Sequence, residues 1–374
     1  MKVVFAAGGT GGHINPALAA AGELRARFPE AEILFIGTED HMEARLVPAA
    51  GFAFQTIAIE GFQRKLSLQN LKRNLHTVNL LLHSTGAVKK ILRDFAPDAA
   101  VGFGGYVSGP VIRTAAKLGI KTAIHEQNAY PGVTNKALAK SVDRVMLTVE
   151  AASAHLTCKN PPVVTGLPVR REILATDRDF ARAKLGVPDD ALLVLSMGGS
   201  LGAKAINEAV VGLIAARWQQ KNLMFLHATG KYGKWVPDKL REMGVPADAK
   251  NVTVREYIDD MDTCLPAADL VIGRAGASSL AEIEATGKAS ILIPSPNVAE
   301  NHQYHNAMAL VNNNAARILE EKDLTAQSLT ALADELLQDP EALKTIGENA
   351  HKMAVLDSAK VICDIIVDLV KSGG

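Results

Sequence analysis

The chain has 374 residues, 48% of them hydrophobic and 5% aromatic, with 40 Lys and Arg set against 40 Asp and Glu. That length suggests two domains with ample core, and three far-spaced cysteines (Cys158, Cys264, Cys363) exclude a disulfide framework or a zinc pattern and fit a reducing cytoplasm. The opening "MKVVFAAGG" is too short in its apolar run for a signal peptide, and no run approaches the roughly 20 apolar residues that span a bilayer.

In chain order, "KVVFAAGG", "EILFIG", "AAVGFGG", "KTAIHEQ", "RVMLTV" and "PVVTG" read as strands of a first half. "PALAAAGELRARF" and "GPVIRTAAKLG" read as helices between them. Prolines and a glycine interrupt the periodicity in "PPVVTGLPVRREI" (161–173). The rhythm then restarts with "LLVLSMGG", "LMFLHATG", "VTVREYI", "LVIGRAG" and "SILIPS". Alternation of this kind predicts parallel sheets with right-handed crossovers, hence two doubly wound domains with a cleft between them. At the C-terminus, Val361, Ile362, Ile365, Ile366, Leu369 and Val370 form one helical stripe that must dock somewhere.

Charge balances overall but not locally. Lys and Arg exceed Asp and Glu by six in residues 1–166 and fall short by six in 167–374. Between Glu60 and Asp94 there is no acid at all, while Arg64, Lys65, Lys72, Arg73, Lys89, Lys90 and Arg93 are basic. This half is expected to meet something anionic.

Glycine loops stand at the ends of several strands, where open α/β sheets bind ligands. "AGGTGGHINP" (7–16) is echoed by "MGGSLGAKAIN" (197–207). Neither fits a dinucleotide fingerprint, since Ile14 occupies the sixth position counted from Gly9, nor a Walker loop, since Ala203 precedes Lys204. Bare backbone N–H groups at a helix start favour phosphate or diphosphate. "GFGGYVSGP" (102–110) and "HEQNAYPG" (125–132) end two further strands, placing His13, His125 and Glu126 as the titratable groups of that rim. In the second half, Glu282 either complements a helix dipole or accepts hydrogen bonds from a ribose diol. Asn301, His302, Gln303 and Asn306 share spacings that suit the hydroxyls of a sugar.

"GGTGGH", "GFGGYVSGP", "HEQN" followed by "TNKALAK", "GLPVR", "GGSLGA", "YIDDM", "RAGASSLAE" and "NHQYHNA" follow one another over nearly the whole chain. This ordered set closely resembles the MurG family, bacterial transferases that move N-acetylglucosamine from UDP-N-acetylglucosamine to the muramyl sugar of lipid I. The resemblance implies an α/β GT-B fold: two doubly wound Rossmann-like domains facing an inter-domain cleft. Residues 1–166 would form the acceptor- and membrane-facing domain, with a helix at about 355–374 packing back on it, and 167–354 the UDP-sugar domain.

The family assigns donor contacts to Thr10, Gly11, Gly12, Asn128, Arg170, Ser200, Ile258 and Gln303, and to the segment Ala277, Ser278, Ser279, Leu280, Ala281 and Glu282. Ile258 would meet uracil through its backbone and Glu282 the ribose; Ser200 and Arg170 would address phosphate; Gln303, Asn306 and Asn128 would meet the sugar. His13 matches the histidine proposed as base, with His125 and Glu126 as further catalytic candidates and Gly104, Gly105 and Tyr106 on the acceptor side. Leu167 stands where the family often has asparagine, and Leu201 and His302 where many members have glutamine.

Replacing an α-linked UDP by a β-linkage implies inversion in a single displacement, with one base and a stabilised leaving diphosphate. No metal or other cofactor is expected: no Asp-x-Asp motif stands at a strand end, and "DDM" (259–261) reads as structural. A basic rim beside Leu68, Leu71, Leu75, Val78 and Leu82 suits the anionic cytoplasmic face of a membrane, held peripherally. Nucleic acid is not expected, since Phe62 is the lone aromatic of that patch. The rival readings are a GT-B transferase acting on another lipid and a UDP-N-acetylglucosamine epimerase-type enzyme.

Overall fold

The computed structural model describes residues 1–59 and 84–372. The chain divides into two compact units, Met1–Pro168 with Val355–Gly374, and Val169–Ala354.

The first unit is built on a parallel sheet of seven strands: β1 (Lys2–Ala6), β2 (Glu32–Gly37), β3 (Ala53–Thr56), β4 (Ala99–Gly102), β5 (Lys121–Glu126), β6 (Arg144–Leu147) and β7 (Val163–Val164). Their order is β3-β2-β1-β4-β5-β6-β7. The central strands are near-continuous apolar runs because both faces are covered. Val4 pairs with Leu34 on one side and Ala100 on the other. Helices α1 (Gly11–Arg27), α2 (Met42–Ala49), α4 (Gly105–Lys117) and α5 (Val133–Leu138) join a helix α3 over 84–95. Val88 and Leu92 of α3 enter the core under Val4 and Ile124, while Lys89, Lys90 and Arg93 stay exposed. The other basic and leucine-rich positions of the acid-free interval, Arg64 to Leu82, lie outside the described residues.

The C-terminal stripe forms α15 (Ser358–Lys371), which packs on α1. Ile362, Ile366 and Leu369 meet Ala17, Ala20, Ala21 and Leu24 in one core cluster. Small residues on α1 let the two backbones approach, and Arg27 pairs with Asp364 at 2.7 Å.

The second unit repeats the design. Strands β8 (Leu192–Met197), β9 (Leu223–Ala228), β10 (Val252–Arg255), β11 (Leu270–Gly273), β12 (Ala289–Leu292) and β13 (Arg317–Ile318) lie parallel in the order β10-β9-β8-β11-β12-β13. One face is covered by α8 (Lys204–Arg217), α9 (Val236–Glu242) and α13 (Ala326–Leu337). The other packs against α7 (Arg178–Leu185), α10 (Met261–Ala267), α11 (Ala277–Thr286) and α12 (His302–Val311), with the short α6 (Arg171–Ala175) beside α10 and α11, while α14 (Pro340–Met353) gives Leu343 and Ile346 to the first face and Ala350 to the second.

Two strands escape the sequence reading. β3 is mostly exposed along "AFQT" and β13 has two residues, so neither carries the apolar run that marks a buried strand. Helix α1 begins at Gly11 rather than at Pro16, its first turn drawn from residues of poor helix propensity. In both sheets the order reverses between a first strand and a later one, β1 and β4 in one unit and β8 and β11 in the other. These switch points set the ligand-binding ends.

Candidate active site

Four helices start at the switch points: α1, α4, α8 and α11. None has a side-chain cap at its N-terminus or an acidic residue in its first turn. Side-chain caps stand instead on three helices away from the switch points, with Asp177 on α7, Thr325 on α13 and Asp339 on α14. In α1 the first backbone bond back to Thr10 comes from His13, and in α11 Leu280 is the first to bond Gly276. The N–H groups ahead of them point to positions where an anion is the natural partner.

In the first unit the loops after β1 and β4 touch. A Cβ on Gly105, which sits at φ +75°, would come within 2.2 Å of the Gly8 carbonyl, so only glycine allows this approach. Behind the loop, buried Glu43 holds the turn. Its Oε2 accepts from Gly9 N at 3.1 Å, and its Oε1 from Thr38 N at 3.2 Å and Thr38 Oγ1 at 2.8 Å. Thr10 and Gly12 are exposed, and Gly11 and His13 are half-buried. Tyr106 stands edge-on to the His41 ring at 5.5 Å, and burial raises its phenol pKa.

His13 Nδ1 lies 3.1 Å from Gln127 Oε1. Gln127 Nε2 in turn reaches Phe103 O at 2.8 Å, His125 O at 3.1 Å and His125 Nδ1 at 3.2 Å. The structure therefore brings His13, Gly104 and His125 together around Gln127, a residue that sequence reasoning passed over.

The expectation that His125 and Glu126 stand open on the rim is corrected. His125 is fully buried, stacked on Phe103 at 5.3 Å, with Nε2 donating to Gly166 O at 2.9 Å. Desolvation pushes its pKa down to about 4. Glu126 is also buried. Its Oε1 accepts from Asn128 N at 2.9 Å and Asn128 Nδ2 at 3.2 Å, and its Oε2 from Gly132 N at 3.1 Å and Asn135 Nδ2 at 2.8 Å. Four donors fill a carboxylate's lone-pair sites. Glu126 shapes the loop that carries Asn128.

In the second unit, Arg170 Nε donates to Glu282 Oε1 at 2.8 Å. Glu282 sits in the second turn of α11, beyond the stretch where a carboxylate complements the dipole. Ala277, Ser278 and Ser279 form the open first turn, and Ser278 Oγ is buried without a hydrogen-bond partner among the described residues. Leu280 and Ala281 turn into the core. Ser200 is exposed on the loop after β8, braced from behind where Lys231 N and Tyr232 N donate to Ser200 O and Leu201 O at 3.2 and 3.1 Å.

The Ile258 side chain is buried in the core. Asp260 of "DDM" is engaged by Arg255 at 2.7 Å. Gln303 Oε1 accepts from Ser295 N at 2.9 Å, and buried Asn306 donates to Ala275 O at 3.2 Å. Glu300 and Asn301, just before α12, both adopt left-handed backbone (φ 52° and 49°), a strained entry of the kind that clusters at functional segments. Leu167, at a position where the family often has asparagine, is buried, and Leu201 is 55% exposed.

Two doubly wound sheets with open helix N-termini at both switch points are the GT-B architecture, and the family matches make the chain a glycosyltransferase of that class. Residues 3–147 match the glycosyltransferase family 28 N-terminal domain and 193–362 its C-terminal domain. The chain is 44% identical over 370 residues (98% of its length, 99% of the relative's) to the UDP-N-acetylglucosamine–N-acetylmuramyl-(pentapeptide) pyrophosphoryl-undecaprenol N-acetylglucosamine transferase of Desulfitobacterium hafniense strain Y51. It belongs to that family, MurG. The crystal structure of Acinetobacter baumannii MurG superposes with a TM-score of 0.79 at 30% identity, over 98% of this chain and 99% of that one. A Neisseria meningitidis UDP-GlcNAc 2-epimerase shares the fold alone, with a TM-score of 0.66 at 13% identity over 98% of this chain and all of that one.

Proposed function

We propose that this protein transfers N-acetylglucosamine from UDP-N-acetylglucosamine to lipid I, giving lipid II for peptidoglycan synthesis. Full-length identity of 44% to a transferase of that name carries the reading. The uncapped helices supply its chemistry. The donor diphosphate lies against open N-termini of α8 and α11, with Arg170 and Ser200 beside it, Glu282 on the ribose and the Ile258 backbone on uracil. Gln303, Asn306 and Asn128 address the sugar, and Thr10, Gly11 and Gly12 complete the donor contacts. The diphosphate of the acceptor meets the first unit, where Gly104, Gly105 and Tyr106 border α4.

The reaction is a single displacement with inversion. The acceptor hydroxyl attacks the anomeric carbon and gives its proton to His13, while the bond to UDP breaks and its electron pair leaves on the diphosphate. Helix dipoles and Arg170 spread that charge. His13 is the half-buried base; His125 and Glu126 hold the loops around it.

The enzyme works as a peripheral protein on the anionic cytoplasmic face of the membrane. Exposed Lys89, Lys90 and Arg93 on α3 support this reading, and no helix among the described residues is long and apolar enough to cross a membrane. The test is transfer from labelled UDP-N-acetylglucosamine to a lipid I analogue by the purified chain. A glycosylated acceptor with one UDP released per transfer is expected; turnover of the donor to an epimer, or glycosylation of diacylglycerol instead, would refute it.

A further inference from the structure

Behind the first glycine loop runs a chain of polar groups that ends on backbone carbonyls. A carbonyl oxygen can only accept, and this fixes each proton along the chain. Gly166 O lies 2.9 Å from His125 Nε2, so that nitrogen carries hydrogen. His125 is fully buried against the Phe103 ring, where desolvation depresses its pKa to about 4. At neutral pH its Nδ1 is therefore a bare acceptor.

Phe103 O and His125 O lie 2.8 and 3.1 Å from one end of the Gln127 amide, and His125 Nδ1 lies 3.2 Å from the same end. That end must be the NH₂. One hydrogen serves Phe103 O and the other is shared between His125 O and Nδ1. A flipped amide would set its oxygen against two carbonyls and a lone pair. The Gln127 oxygen is thereby turned on His13, 3.1 Å from Nδ1. Gly104 makes room for the ring, since a Cβ there would stand 2.7 Å from the same nitrogen.

From this arrangement we infer that Gln127 is a positioning residue that holds His13 as its Nδ1–H tautomer, leaving Nε2 as the basic nitrogen, and that buried His125 sets the Gln127 amide. The inference deepens the reading of His13 as the proton acceptor and rests on it for its catalytic consequence. A ring locked by a neighbour in one tautomer presents its lone pair in one direction. Here three backbone carbonyls, those of Gly166, Phe103 and His125, relayed through His125 and Gln127, set that direction.

The test is nitrogen-15 NMR of the full chain labelled at histidine, at a pH where His13 is neutral, with its resonances assigned by their loss in His13→Ala. A pyrrole-like Nδ1 and a pyridine-like Nε2 are expected in the unsubstituted protein; the reverse pattern overturns the inference. Gln127→Leu is expected to admit the Nε2–H form and to lower kcat about tenfold with little change in either KM, as outer-shell partners of a functional histidine do. Gln127→Glu, protonated on the oxygen that faces Phe103 O and His125 O so that this end still donates, keeps an acceptor on Nδ1 and is expected to keep the tautomer and more activity than the leucine variant, whereas a merely structural glutamine would gain nothing from that acceptor. Gln127→Leu with an unchanged His13 tautomer also overturns the inference. A locked tautomer together with full kcat in His13→Ala would instead remove the base reading and leave the positioning intact.

Discussion

Arg170 Nε sits 2.8 Å from Glu282 Oε1, tying the residue just before α6 to the second turn of α11. The bond uses one donor of the guanidinium and one carboxylate oxygen. On the proposed donor contacts, the two Nη groups would serve phosphate and Oε2 a ribose diol. Arg170 is half exposed, so the pair adds little to stability. Its value lies in holding both groups in register. Glu282→Gln is expected to raise the KM for UDP-N-acetylglucosamine about 10-fold or more, as loss of a hydrogen bond to a charged group does, while the thermal midpoint barely moves. Steady-state kinetics with the acceptor saturating checks this.

Glu43 is the hidden support of the first glycine loop. It is fully buried and accepts three hydrogen bonds, from Gly9 N, Thr38 N and Thr38 Oγ1. Glu43→Ala strands those donors and opens a void, at a cost of about 2–4 kcal/mol. Denaturant titration should show that loss, and kcat/KM should fall with it because the N-terminus of α1 loses its fixed position.

Gly105→Ala is expected to be worse tolerated than its size suggests. The added Cβ meets the Gly8 carbonyl at 2.2 Å on a backbone with φ +75°. Strain of that kind costs on the order of 1–3 kcal/mol before the clash is counted. Soluble yield and melting temperature should both drop, whereas Gly22→Ala, with nothing near the added carbon, should not destabilise α1.

Acid should loosen the first unit before the second. Desolvation lowers the pKa of buried His125 to about 4, so the folded unit refuses a proton that the unfolded chain takes below about 6.5. Its contribution is fully present above pH 6.5 and declines as pH falls toward 4, by about 3 kcal/mol in all. In the second unit desolvation lowers His227 likewise to about 4 but raises Glu284 to about 7. The raised carboxyl has the opposite sign: it stabilises progressively as pH falls from 7 toward its ordinary value, so the two offset. Hydrogen exchange from pH 7 to 4.5 should show β5 amides losing protection ahead of β9 amides, and His125→Phe should remove most of that difference.

The strands and their glycine loops were legible because buried parallel strands are unbroken apolar runs and because glycine at a strand end is costly without a reason. The open helix starts followed from the same loops. What the sequence hid were groups whose roles depend on three-dimensional neighbours. Glu43 lies in an ordinary amphipathic helix, and Gln127 stands beside two titratable residues that draw attention from it. His125 and Glu126 look reactive in one dimension, yet β5 is an interior strand of the sheet and carries both inside. Alternation along a strand cannot reveal that when both faces are covered.

On the proposed mechanism, His13 takes the acceptor proton while helix N-termini hold the departing diphosphate. Its most direct test is kcat of His13→Ala with UDP-N-acetylglucosamine and a lipid I analogue both saturating. A fall of roughly 10²–10⁴-fold is expected, the span of general-base catalysis, with donor affinity nearly unchanged. A variant that keeps a near-normal kcat would contradict it.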